Sequence, residues 1–340
     1  MTNDPVDIKI AHINKAETSN NVLNKEAVYE IFGRFSITAL APFYKFQQTW
    51  VNKAYSTFKD FDTYLILMYL KQKIYVDYSD RFHYLSVGAF FSQERIAIEK
   101  INLIQISKSL NIPKETVRRK INDFEKIGIL RREGKSIILK NSLINSQRPI
   151  KSLDSLVNFI YKNSLFLQAE EWFGDPLTKK EIKFFIENFF TVCWLRFFKL
   201  QLPFLVRHRD VFGDLETFQI WGLIAVNHQS KATKAVMQNI ISEPSDAKYL
   251  YVVSKTEVLY GLNASSISDV TKVPRATVIR KLRWLVNKSL IKKNKKLQYF
   301  MNNSGNLNKK ISINFLSNRE AVCSFLTDIF DLIKNSNFKI

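Results

Sequence analysis

The sequence predicts a mainly α-helical protein with small β-hairpins, built from one domain written twice. Three observations carry this. First, residues 101–120 (INLIQISKSLNIPKETVRRK) and 262–281 (LNASSISDVTKVPRATVIRK) align at an offset of 161 with eight identities: Asn102/Asn263, Ile106/Ile267, Ser107/Ser268, Pro113/Pro274, Thr116/Thr277, Val117/Val278, Arg119/Arg280 and Lys120/Lys281. Second, the likeness extends upstream at an offset of 154. FYKFQ at 43–47 matches FFKLQ at 197–201, and FKDFDT at 58–63 matches FGDLET at 212–217. The second copy has therefore gained seven residues between Ile224 and Leu262. Third, a period this long is a duplicated domain, not a solenoid repeat of roughly 20–50 residues.

The elements follow in chain order. Residues 1–24 are polar and are expected to form a mobile tail. Apolar periodicity predicts one helix over Glu26–Leu40 and its counterpart over Lys179–Phe198. A second helix starts at Asp60 and at Asp214. Each Asp is a good N-cap because its carboxylate accepts orphan backbone N–H groups, and Asp62 or Glu216 suits the positive helix start. After a variable connection comes a helix capped by Asn102 or Asn263, then a turn carrying Asn111-Ile-Pro113 or Lys272-Val-Pro274. Proline near a helix start costs little, because the N–H it lacks would be unpaired there.

The next helix is expected from Lys114 to Ile127, and from Arg275 to about Lys288. Val117, Ile121 and Phe124 fall at i, i+4 and i+7, as do Val278, Leu282 and Leu285, so that stripe faces a core. Gly128 stands in the usual C-terminal position, where the second copy has Ser289. Short apolar runs then flank a basic turn, at Ile129–Leu139 and Leu290–Phe300, and read as hairpins. A connecting helix is expected over Ser152–Glu170 and a closing amphipathic helix over Asn318–Lys334. The organisation is a tail (1–24), a first domain (25–145), a linker with its helix (146–178), a second domain (179–305) and a C-terminal helix (306–340).

Charge is concentrated on the repeated units. Ile104–Lys140 holds ten Lys/Arg against four Asp/Glu, a net of +6, and Ser265–Lys310 holds twelve against one, a net of +11. These segments carry +17 of the chain's +20. A basic footprint placed this way suits a phosphate backbone.

The pattern I-S-x-x-x-x-I/V-P-x-x-T-V-x-R-K-I/L, followed by an apolar helix and a basic hairpin, resembles the winged helix-turn-helix of bacterial DNA-binding regulators. The MarR-type and CRP-type readers are the nearest. The likeness covers about 37 residues of each copy. It implies that the second helix enters the major groove and that the hairpin, or wing, touches backbone or minor groove. The implied fold is a tandem pair of winged helix-turn-helix domains forming an intramolecular pseudo-dimer.

Carried onto this chain, the groove-facing positions are Lys114, Glu115, Arg118, Arg119 and Asn122, and in the second copy Arg275, Ala276, Ile279, Arg280 and Arg283. The residue types also suit base reading, since Arg and Lys donate to guanine, Asn pairs with adenine, and Glu accepts from cytosine. Thr116 and Thr277 either bond phosphates or pack against the turn. Arg131, Arg132, Lys135, Lys292, Lys293, Lys295 and Lys296 are placed to neutralise phosphates. Arg118 becomes Ile279, Glu115 becomes Ala276 and Asn122 becomes Arg283 between copies. Two unlike readers on one chain favour an asymmetric or pseudo-palindromic site over a perfect palindrome.

Other chemistries find little support. Gly134-Lys-Ser136 lacks the earlier glycine of a phosphate-binding loop. His208-Arg-Asp210 lacks the metal-binding Asn and the D-F-G of a kinase. Four scattered histidines and two cysteines give no metal-ligand spacing, and no nucleophile arrangement appears, so no enzyme activity, cofactor or metal is expected. The aromatic run Phe184–Phe198 is read as core or inter-copy packing, with a small-molecule effector in this apolar region as the alternative. Charges at Glu187, Arg196 and Lys199 break the most apolar stretch well short of the ~20 residues of a membrane span. An N-terminus of MTNDPVDIKI predicts no secretory signal. The expected protein is a cytoplasmic, nucleoid-associated regulator that binds double-stranded DNA as a monomeric pseudo-dimer or homodimer. The alternatives are a plasmid- or phage-type replication initiator with tandem winged helices, or a non-specific nucleoid or RNA-binding protein.

Overall fold

The computed structural model describes residues 24–81, 84–93, 95–98, 102–133, 136–140, 150–169, 177–245, 248–258, 261–302, 304 and 307–335. The expected N-terminal tail (all but Asn24), and Lys135, lie outside the described residues. The protein is mainly helical, with two small antiparallel β units.

Four helices open the chain: α1 (Lys25–Arg34), α2 (Ser36–Phe58), α3 (Phe61–Asp80) and the short α4 (Val87–Ser92). Strand β1 (Arg95–Ile98) precedes α5 (Leu103–Leu110) and α6 (Lys114–Lys126), and then come β2 (Leu130–Glu133) and β3 (Ser136–Lys140). Helix α7 (Ile150–Ala169) leads to α8 (Lys179–Asn188), α9 (Phe190–Phe212), α10 (Leu215–Met237) and α11 (Tyr249–Lys255). The chain closes with α12 (Ala264–Thr271), α13 (Arg275–Asn287), β4 (Ile291–Lys293), β5 (Tyr299–Met301) and α14 (Asn308–Asn335).

The single helices expected over Glu26–Leu40 and Lys179–Phe198 are each broken in two. The breaks fall at Phe35 and Phe189, and α8 and α9 meet at 101°. No proline or glycine stands at either break; tertiary hydrogen bonds hold the new helix starts. The Glu243 carboxylate accepts from the backbone N–H groups of Ile37 (2.8 Å) and Thr38 (3.0 Å) at the start of α2. At the start of α9, Thr191 Oγ1 accepts from the Leu85 N–H (3.1 Å), and the Thr191 N–H donates back to the Leu85 carbonyl (3.3 Å). Each cap comes from the connection after the other half's long helix. These orphan N–H groups therefore find partners although no local residue caps them. The closing helix begins at Asn308, ten residues before the expected Asn318.

The packing is exchanged between the halves. Helix α2 lies along α10, and α9 lies along α3. Helix α7 packs on α2 and α8, while α14 packs on α9 and α1. Each of these pairings has its counterpart at the sequence offset of 154. Fully buried Phe43, Phe197 and Phe204 sit in the shared core, with Phe43 and Phe204 edge to face at 5.4 Å. At its centre Gln47 Nε2 donates to Gln201 Oε1 (2.8 Å), two residues at the same position of the repeat.

Strand β3 pairs antiparallel with both β1 and β2, giving the order β1-β3-β2. Strands β4 and β5 form a two-stranded counterpart, with Leu262 bridging to Tyr299 where β1 has no full equivalent. Among the described residues no single helix is long and apolar enough to cross a membrane.

Candidate nucleic-acid interface

The helix pairs α5/α6 and α12/α13 share one set of internal bonds. Asn102 and Asn263 cap the first helix with their side-chain oxygens, which accept from the N–H groups of Ile104 and Ser266 (2.9 Å each). The chain then leaves the helix through a left-handed residue, Asn111 (φ 50) or Lys272 (φ 63). Ser107 Oγ donates to the Ile112 carbonyl (2.6 Å), and Ser268 Oγ to the Val273 carbonyl (2.7 Å), closing the turn. Pro113 and Pro274 enter the second helix with φ −53. Val117, Ile121 and Phe124, and likewise Val278, Leu282 and Leu285, are buried beneath it.

One ion pair anchors each second helix. Lys120 Nζ lies 2.5 Å from Asp60 Oδ2, and Lys281 pairs with Asp214. The two carboxylates also cap α3 and α10. Burial alone would raise the Asp60 and Asp214 carboxyls, but the lysine, a threonine hydroxyl and backbone N–H bonds together hold both below the usual range. In the sequence each aspartate reads as a cap only; the recurrence of Lys120 and Lys281 at identical positions is the signal there for the ion pair.

Each helix pair also touches the opposite half. Asn111 Nδ2 donates to Asp210 (2.6 Å), and Arg209 pairs with Asp62 (3.2 Å). Helix α12 packs against α2, and Gln219 Nε2 of its own half bonds both the Thr271 carbonyl (3.0 Å) and Asn52 of α2 (2.9 Å). The His208-Arg-Asp210 triplet thus lies inside α9 and serves packing and bridging.

The expected contact residues are placed as follows. On α6, Lys114, Glu115, Arg118 and Arg119 are exposed, while Thr116 and Asn122 are half-buried. On α13, Arg275, Ala276, Arg280 and Arg283 are exposed, while Thr277 and Ile279 are half-buried. Arg131 and Arg132 on β2 are exposed, as are Lys292, Lys293, Lys295 and Lys296 around the second hairpin. The first set is internally neutralised in part. Glu115 pairs with Arg118 (2.7 Å), Glu133 pairs with Arg131, and Arg132 reaches Asn122 (2.5 Å) and Glu125 (3.7 Å). In the second set Arg275 donates to Ser265 Oγ (3.2 Å). Among the described residues, Arg280, Arg283 and the four hairpin lysines have no ion-pair partner.

Among the described residues no group of His, Cys, Asp and Glu is arranged to hold a metal ion. Comparison with protein-family models, curated proteins and solved structures gives no match.

Proposed function

We propose that the chain is a sequence-specific double-stranded DNA-binding regulator, with two unlike winged helix-turn-helix readers joined as an intramolecular pseudo-dimer. The observation that carries this reading concerns the eight identities between the copies. Six have an internal role: Asn102/Asn263 cap, Ile106/Ile267 and Val117/Val278 fill the core, Ser107/Ser268 close the turn, Pro113/Pro274 start the helix and Lys120/Lys281 anchor it. Thr116/Thr277 are half-buried. Arg119 and Arg280 alone are exposed and, among the described residues, lack a hydrogen bond or ion pair. The Arg119 charge partly offsets the burial that raises the Asp62 carboxyl, but no bond among the described residues holds either guanidinium, so each can turn to an external acceptor, and guanine O6/N7 or a phosphate fits its planar fork.

Selection of bound duplexes from a random library tests the reading. The expected product is a site with two unlike half-sites. Arg119→Ala and Arg280→Ala should each cost about 1–3 kcal/mol on that site and relax one half-site apiece. A library that yields no enriched sequence, or perfect palindromes only, contradicts it.

A further inference from the structure

A cavity of about 60 Å³ lies between the halves, walled by α2, α9, α10, α11, α14 and β5. That is several times the roughly 10–15 Å³ a single water needs. Its lining is mostly apolar, with Phe204, Phe218 and Phe315 among it. Two lining residues hold polar atoms without partners: the Trp221 Nε1–H and the Gln47 Oε1, on side chains 8% and 2% exposed. His208 also lines it. Its Nδ1 meets the Phe204 carbonyl (2.7 Å), and burial pushes its pKa down to about 4, so the ring is neutral and Nε2 is left as an acceptor. Ala225, Val226 and Leu250 are only half-buried, so the space opens to solvent.

In the other half larger side chains stand at most of the matching positions. At the repeat offset of 154, Gly222, Ala225, Gln229 and Tyr44 correspond to Met68, Lys71, Tyr75 and Phe198. There Tyr75 packs against Phe90 (5.3 Å), Phe198 (5.6 Å) and Phe190 (5.9 Å). Gly222 is small because a Cβ would meet Gln48 Oε1 at 2.6 Å. Ala225, which also lines the space, is half-buried.

We propose that this cavity is a binding site for a small, uncharged molecule of a few non-hydrogen atoms with one polar end, held by Trp221, Gln47 and His208. An ionised ligand would meet no countercharge in this lining, and a fully apolar one would leave both orphan atoms unsatisfied. The site also reaches the second hairpin. Met301 of β5 lines the cavity, and its N–H donates to His228 Nε2 (3.1 Å) of α10. Occupancy is therefore felt at β4–β5 and not at β2–β3. This last step becomes regulation only if the proposed DNA reading holds; the binding itself does not depend on it.

The test titrates the full chain, without DNA, with isopropanol, acetone and acetamide. Thermal unfolding and amide exchange are the readouts. A saturable rise in unfolding temperature is expected for at least one probe, with altered exchange over residues 291–301 and none over 130–140. Ala225→Phe fills the space and should abolish both effects. Should that variant not fold by circular dichroism, Trp221→Phe removes the N–H donor together with part of the cavity wall and should weaken binding about threefold to tenfold. No saturable effect with any of the three probes, or an undiminished effect in a folded Ala225→Phe, overturns the site. Binding of a probe by a chain that selects no DNA sequence would leave the site standing and remove the regulatory reading alone.

Discussion

The two halves of this chain share a skeleton and differ in what they carry on it. Both begin with a pair of helices broken at a phenylalanine, both anchor a helix pair through an aspartate–lysine bond, and each caps a helix of the other. The first half surrounds its arginines with carboxylates. The second leaves a run of cations without acidic partners, and it alone has histidines buried at His208 and His228, where the first has Ala54 and Ile74. Several positions doing structural work are held alike, while most of those facing outward or into the cavity, the Arg119/Arg280 pair excepted, have drifted apart. On the proposed reading the second half supplies grip and the first supplies discrimination.

The largest expected difference is in salt dependence. Replacing Lys292, Lys293, Lys295 and Lys296 together by Ala should make the slope of log affinity against log salt shallower by up to ~3.6, at ~0.9 per phosphate contact. Replacing Arg131 and Arg132 should change it by at most ~1.8 on the same scale. Equal changes would erase the proposed division of labour. Filter or fluorescence titrations across a salt series read this directly.

Next comes acid sensitivity. Burial pushes the His208 and His228 pKa values down to about 4, below the 6.5 of a free histidine. The unfolded chain therefore binds more protons than the folded one between these values, and stability falls as the pH drops from about 6.5 to about 4. Each contributes up to about 3 kcal/mol to that loss. Hydrogen exchange across this range should open α9 and α10 before α3. Denaturant midpoints that do not move between pH 7 and pH 5 would count against this buried, neutral state.

The central glutamine pair gives a sharper test of how the halves meet. Gln47→Leu alone leaves the buried Gln201 amide without its partner and should cost about 1–3 kcal/mol, and Gln201→Leu should behave alike. The double replacement removes both polar groups and should be close to neutral. A strictly additive loss in urea unfolding would show that the two amides do not act as a pair.

The smallest effect lies at the helix ends. Gly128 has φ 74 and Ser289 φ 56 at matching positions after α6 and α13. Only glycine adopts this region without a Cβ clash, so Ser289→Gly should stabilise, and Gly128→Ala destabilise, by about 1 kcal/mol each. Thermal unfolding of the two variants beside the unaltered chain measures both.

Much of the fold was legible because its signals are local. Asn102, Pro113 and Gly128 mark the ends of short elements within a turn or two, and the strands and helices there fall within a residue or two of expectation. The bends at Phe35 and Phe189 were not legible, because the apolar period runs through them and the capping groups, Glu243 and Leu85, lie far away in sequence. For the opposite reason, Pro42 and Pro203 would suggest helix ends, yet α2 and α9 continue through them. Strand β1 and helices α4 and α11 lay in connections too short to show a period. For the interface, residue types and faces could be read from the sequence. The Arg118–Glu115 and Arg131–Glu133 pairs are local, but the Glu125 and Asn122 partners of Arg132 could not be assigned until the hairpin's place against α6 was known. The cavity depends on three small or polar residues meeting across several helices, which no linear pattern records.

At the heart of the proposal, one chain carries two unequal readers that engage one duplex together. Hydroxyl-radical footprinting of a selected site, at increasing salt, addresses this without intermediaries. We expect one chain per duplex and two protected patches within about 20 base pairs, lying on one face. The patch removed by Arg119→Ala should differ from the patch removed by Arg280→Ala. A single patch, or two identical patches that need two chains, would contradict it.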